Sequence, residues 1–145
     1  MTMRSLVLAG LVLAGCESHT HPAATVPTTS LEQEANITLG AMRARDPGID
    51  PVLRQSMAYA VFPDSEKRGV LFENGHATGY VMLANPAGES YSELLVLRDS
   101  RDLAELKGGH FQLKGRANAT VFVMPHGQTA VQLSSRDQRI DYLGT

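Results

Sequence analysis

Gly69-Val70-Leu71-Phe72-Glu73-Asn74-Gly75-His76-Ala77-Thr78-Gly79-Tyr80-Val81-Met82-Leu83-Ala84 is the stretch on which the fold turns. Two apolar runs flank Asn74-Gly75, and a type I′ turn needs positive φ at both central positions, which Asn and Gly adopt at little steric cost. The stretch therefore predicts an antiparallel hairpin of strands 69–73 and 76–84. Just beyond it, Asn85-Pro86-Ala87-Gly88 carries proline at the second and glycine at the fourth place of a type I turn, and an alternating run, 91–97, follows. The three runs together predict a three-stranded meander. On the other side, Tyr59-Ala60-Val61-Phe62-Pro63 reads as a further strand ended by proline.

Helical signals precede these strands. Ser30 and Gln33 form a capping-box pattern, and Leu31, Ala35, Thr38, Leu39 and Met42 recur at helical spacing. Asp46-Pro47-Gly48 stops that helix. Asp50 before Pro51 predicts the N-cap and first position of a second, short helix running to about Met57. Later, Ser100 is expected to cap a helix through Leu106 closed by Gly108-Gly109, followed by strands at 111–113, 119–124 and 129–133. Pro125-His126-Gly127-Gln128 marks the last hairpin turn. The fold expected is α+β: N-terminal helices followed by a mainly antiparallel sheet built from hairpins.

The only cysteine, Cys16, closes Leu13-Ala14-Gly15-Cys16 after an apolar run that follows Arg4. That order, a positive residue, a short apolar core and a small-residue site, is the layout of a signal peptide. The apolar run is about ten residues, against the roughly twenty that span a bilayer. A disulfide within the chain is impossible with one cysteine. The segment resembles the lipobox of bacterial lipoproteins. The resemblance implies cleavage between Gly15 and Cys16, a diacylglycerol on the Cys16 thiol and an acylated new amino terminus. Glu17 and Ser18 follow, without the aspartate such lipoproteins use for inner-membrane retention, so the expected location is the periplasmic face of the outer membrane. The expected organisation is a signal peptide over 1–15, a flexible tether over 16–29 rich in Pro, Ala and Thr, and one domain over 30–145.

Composition narrows the function classes. Loss of Arg4 with the signal leaves 12 basic against 15 acidic residues, which lacks the basic excess of a nucleic-acid binder. No G-x-S-x-G, H-E-x-x-H, phosphate loop, dinucleotide fingerprint or EF-hand loop occurs, so no catalytic residue is expected and no cofactor. His19 and His21 have no nearby carboxylate beyond Glu17, too few donors for a metal site. Glu73 and Glu93 are expected as solvated, outward strand positions.

Met57-Ala58-Tyr59-Ala60-Val61-Phe62-Pro63, then Lys67 and Gly69, resembles the opening block of SYLF-domain proteins: a helix, an aromatic-Ala-Val-Phe-Pro strand and a Lys-Gly-Gly turn. Glu89-Ser90-Tyr91-Ser92-Glu93-Leu94-Leu95-Val96-Leu97 is similar to the family's Ser-aromatic-Ser-Glu strand, and Ala117-Asn118-Ala119 to a small-residue stretch after it. The resemblance spans about residues 43–132. Arg68 stands where the family has the first glycine of its turn, and the glycine-rich strand before the Ser-aromatic-Ser-Glu block is reduced to 85–88, marking a divergent, shortened member. The resemblance implies a non-enzymatic domain that binds lipid or supports the envelope, with Lys67 and Arg68 as candidate headgroup contacts through charge-assisted donors. The alternative is an adaptor or structural lipoprotein that holds an envelope protein through an exposed sheet edge.

Overall fold

The computed structural model describes residues 30–63, 68–84, 91–126, 130–134 and 137–145. The expected signal peptide, the tether, Gly15, Cys16, Lys67 and the 85–88 turn lie outside the described residues.

The first helix begins as its sequence dictates. In α1 (Leu31–Arg45) the Ser30 hydroxyl accepts from the Gln33 amide at 3.2 Å, while the Gln33 side-chain oxygen accepts from the Ser30 amide at 3.1 Å. Glu32 and Glu34 in the first turn and Arg43 and Arg45 in the last oppose the helix dipole. Ala35, Leu39 and Met42 form its buried stripe. The second helix, α2 (Ile49–Arg54), starts two residues earlier than expected: Gly48 is the N-cap, and Asp50 sits inside the first turn, where its carboxylate accepts from Arg43 Nε at 2.5 Å. A shift in the same direction, by one residue, occurs at α3 (Ser100–Lys107), whose N-cap is Asp99, accepting from the Arg101 amide at 2.9 Å, and not Ser100. A carboxylate is a charged acceptor for free amides at the positive helix end, which favours Asp99 over its neighbour.

Eight strands follow: β1 (Ala58–Phe62), β2 (Arg68–Glu73), β3 (His76–Leu83), β4 (Tyr91–Leu97), β5 (Phe111–Gln112), β6 (Ala119–Pro125), β7 (Gln132–Leu133) and β8 (Arg139–Gly144). They form one antiparallel sheet in the order β5-β8-β3-β2-β1-β4-β6-β7. The β2–β3 hairpin forms where expected, with Asn74 at φ 52° and Gly75 at φ 76°. Strands β6 and β7 pair antiparallel, with Phe122 opposite Leu133, and residues 127–128 of the expected 125–128 turn lie outside the described residues.

The meander and the fold class need correction. Strand β4 does not lie beside β3; it crosses over and pairs along β1, so β4-β1-β2-β3 is a Greek-key arrangement. The reason is burial. All seven residues of β4 are buried, whereas an alternating strand would leave one face to solvent. Such a strand belongs in the interior of the sheet, and β1 and β6 flank it. The α+β expectation likewise fails: the described residues are 43% strand and 29% helix, arranged as an eight-stranded curled half-barrel with three short helices against it. Nor is the sheet built mainly from hairpins, because only three of its seven strand contacts join consecutive strands. Hairpin signals are local, while the other four pairings are set by which faces must be covered.

Each sheet face carries a core. Helices α1 and α2 cover Val61, Val70, Phe72, Leu94, Val96 and Phe122. Leu106 of α3, Phe111 of β5 and Ile140 of β8 close over Phe62, Leu71, Val81, Leu95 and Leu97 on the other side. Tyr59 stacks on Phe72 with ring centroids 5.1 Å apart. Gly69 is packed too tightly to be anything else, since a Cβ there would lie 2.7 Å from Phe62 Cδ1 and 2.8 Å from the Val61 carbonyl oxygen. Gly69→Ala is expected to destabilise the domain by about 1–3 kcal/mol, the usual cost of overpacking a core. In urea the midpoint falls while the slope stays constant; an unchanged midpoint would contradict this packing.

Candidate functional site

A groove of about 360 Å³ opens on the helix-covered side of the sheet, lined by Leu31, Arg68, Tyr80, Val81 and Leu143. Strand periodicity builds it. Val70 and Phe72 point toward α1, so Arg68, one pleat earlier on β2, projects to the same side just past the helix start. Tyr80 lies opposite Val70 on β3, and β8 brings Leu143 alongside. Tyr80 is 44% and Leu143 52% exposed. No hydrogen bond or ion pair joins Arg68 to another described residue. Of the residues expected to meet a headgroup, Arg68 therefore stands at the rim of an apolar groove, while Lys67, Gly15 and Cys16 are outside the described residues. Tyr80 and Leu143 carried no signal of their own, because only the pairing of β8 with β3 brings them together.

A second cleft, about 560 Å³, lies at the other margin, between residues 113–117 and the β6–β7 edge. Its guanidinium is committed to holding the fold. Arg116 donates to Asp102 at 2.7 Å, to the Glu105 carboxylate and to the Gln112 carbonyl at 2.5 Å, and lies 4.6 Å over the Phe111 ring. These contacts clamp α3 to the chain leaving β5.

Among the described residues the polar groups with catalytic potential are arranged structurally. Ser92 is buried, and its hydroxyl donates to the Pro63 carbonyl at 2.5 Å. Its one proton is thereby directed at a carbonyl, and His126 Nε2 lies 3.3 Å from Ser92 Oγ. Glu93 corrects the expectation of an outward position. It is 0% exposed and accepts from Gln138 Nε2 at 3.1 Å within the sheet interior. A buried carboxylate is tolerated only with such partners. Glu73 is separate from it, and its oxygens lie 2.9 and 2.8 Å from Lys107 Nζ and 2.5 Å from Thr78 Oγ1. No group of three or more His, Cys, Asp or Glu side chains that could hold a metal occurs among the described residues. None of the described helices is long and apolar enough to cross a membrane. The outermost strands, β5 and β7, are two residues each, a short backbone edge for a partner strand.

No protein-family model matches the chain, and no curated protein matches it.

The hydrogen bonds from Lys107 and Thr78 hold the Glu73 carboxyl below its ordinary 4.5, with partial burial opposing them. A pKa lowered by folding adds stability above the unfolded value, and that stability is lost as pH falls through the folded one. Lys107→Ala is expected to cost about 0.3–1 kcal/mol at neutral pH, the range for exposed ion pairs. Urea titrations should show the gap between wild type and variant closing below about pH 4. A gap that keeps its full size in acid would show that the lysine acts through packing instead.

Proposed function

We propose that this chain is a lipoprotein held on the periplasmic face of the outer membrane by acyl chains on Cys16, carrying a divergent, shortened SYLF-like domain that binds lipid and performs no chemistry. The observation that carries the lipid part is Arg68, a guanidinium with no described partner, at the rim of the apolar groove of Leu31, Tyr80 and Leu143. A guanidinium offers several charge-assisted donors to phosphate oxygens, and the groove offers apolar surface beside them. The Leu13-Ala14-Gly15-Cys16 run and the order of SYLF-like blocks support the anchor and the domain assignment. Two or more lipid chains hold a protein on a membrane stably, each buried CH₂ contributing about 0.8 kcal/mol.

Two measurements test the two halves. Intact mass of the membrane-extracted protein is expected to show loss of residues 1–15 with added acyl mass, and Cys16→Ser to abolish both; an unmodified full-length product overturns the anchor. For the domain, residues 16–145 bearing Cys16→Ser are expected to float with phospholipid vesicles, and Arg68→Glu to reduce the floating fraction several-fold. Absence of the protein from the vesicle layer overturns lipid binding.

A further inference from the structure

We infer that the anchored domain rests on the bilayer that holds it through the face around Leu31, Arg68, Tyr80 and Leu143, with the β7 margin at Leu133 turned away. This rests on the anchor reading above. The occupant of the groove is then the phosphate and upper acyl region of phospholipids in the same leaflet.

The path of the chain favours this face. Ser30 caps α1, and Leu31, the first helical residue, itself lines the groove. Between Cys16 and Ser30 lie residues 17–29, whose contour length is at most about 50 Å. A linker of that length has a root-mean-square span of about 20 Å, less than the roughly 35 Å width of a domain of this size, so on average the start of α1, and the groove beside it, stays nearer the membrane than the opposite side of the domain. Leu133, on the outermost strand β7, lines the second cleft and not the groove.

The chemistry of the face agrees. Tyr80 and Leu143 are two of the five large apolar side chains exposed among the described residues, and both border the groove. Tyrosine settles at headgroup level because its ring is apolar and its hydroxyl wet, and leucine enters the acyl boundary below it. Arg68 supplies the phosphate contact. The surroundings are not basic: Glu32 and Glu34 occupy the first turn of α1, and Asp141 lies on β8 next to Arg139 at 3.6 Å. The contact is therefore led by apolar insertion and by the phosphate common to all phospholipids, so it needs no anionic lipid and weakens little with salt.

The chain has no tryptophan, so a single introduced one reports its own position. Residues 16–145, which retain every described element, are coupled through the Cys16 thiol to a maleimide lipid in phosphatidylcholine vesicles with brominated acyl chains. Coupling supplies the tether whether or not cells acylate Cys16, so this test and the mass measurement fail independently. Tyr80→Trp and Leu143→Trp in the groove are compared with Leu133→Trp, all at exposed positions. Quenching in the groove is expected to exceed that at 133 by roughly threefold or more, with depth set by interfacial insertion. Arg68→Ser on the Tyr80→Trp background is expected to lower the quenching, and adding phosphatidylglycerol to leave it unchanged. Equal quenching at all three positions, stronger quenching at 133, or none in the groove overturns the inference.

Discussion

The burial of Tyr91–Leu97 on both sides is the constraint on which the rest of this structure depends. This strand is hydrogen-bonded to β1 on one edge and β6 on the other, and none of its residues faces solvent. Leu94 and Val96 need a cover on one side and Leu95 and Leu97 on the other, each buried aliphatic side chain being worth about 1.5–3 kcal/mol. Helices α1 and α2 supply the first cover. The second comes from α3, β5 and β8, whose return closes the sheet into its curl and whose hold on the chain after β5 runs through Arg116. Ser92 and Glu93 are carried inside by the same strand, which is why each is tied to a specific partner, Pro63 for one and Gln138 for the other.

The blocks that resemble the SYLF family acquire a physical meaning from this arrangement. Tyr59-Ala60-Val61-Phe62 lies in β1, the inner neighbour of β4, and Gly69 is required because the Phe62 ring lies where a side chain would be. Tyr91-Ser92-Glu93 opens the doubly buried strand. These motifs therefore hold the sheet together, and none of them lines the groove. The groove is made instead by the first residue of α1, the first of β2, two adjacent residues of β3 and one near the end of β8.

Legibility in the sequence tracked how local the cause was. Asn74-Gly75 requires positive φ within two residues, and Ser30 and Gln33 exchange hydrogen bonds across one turn, so both were readable from the residues alone. The starts of α2 and α3 lie two residues and one residue before the expected positions because neighbouring positions can each serve, and the choice depends on where the preceding strand or loop leaves the chain. The alternation read into β4 failed because Ser92 and Glu93 are polar by type but buried by location. Strand β8 was not anticipated, since Arg139-Ile140-Asp141-Tyr142-Leu143 pairs with residues about sixty positions earlier. With it went Leu143, half of the apolar rim of the groove.

By itself the sequence determined the elements whose hydrogen bonds close within a few residues: the capped first helix, the type I′ hairpin and the strand-rich character of 58–133. It also contained the lipobox-like run ending at Cys16 and the absence of catalytic signatures. Only the tertiary structure decided that β4 lies beside β1, that eight strands make one curled sheet with helices as covers, and that Arg68 meets Tyr80, Leu143 and Leu31. The division has one physical cause. Turn and cap energies depend on neighbouring backbone angles, whereas strand order is settled by burying every apolar face at once, a condition on the whole chain.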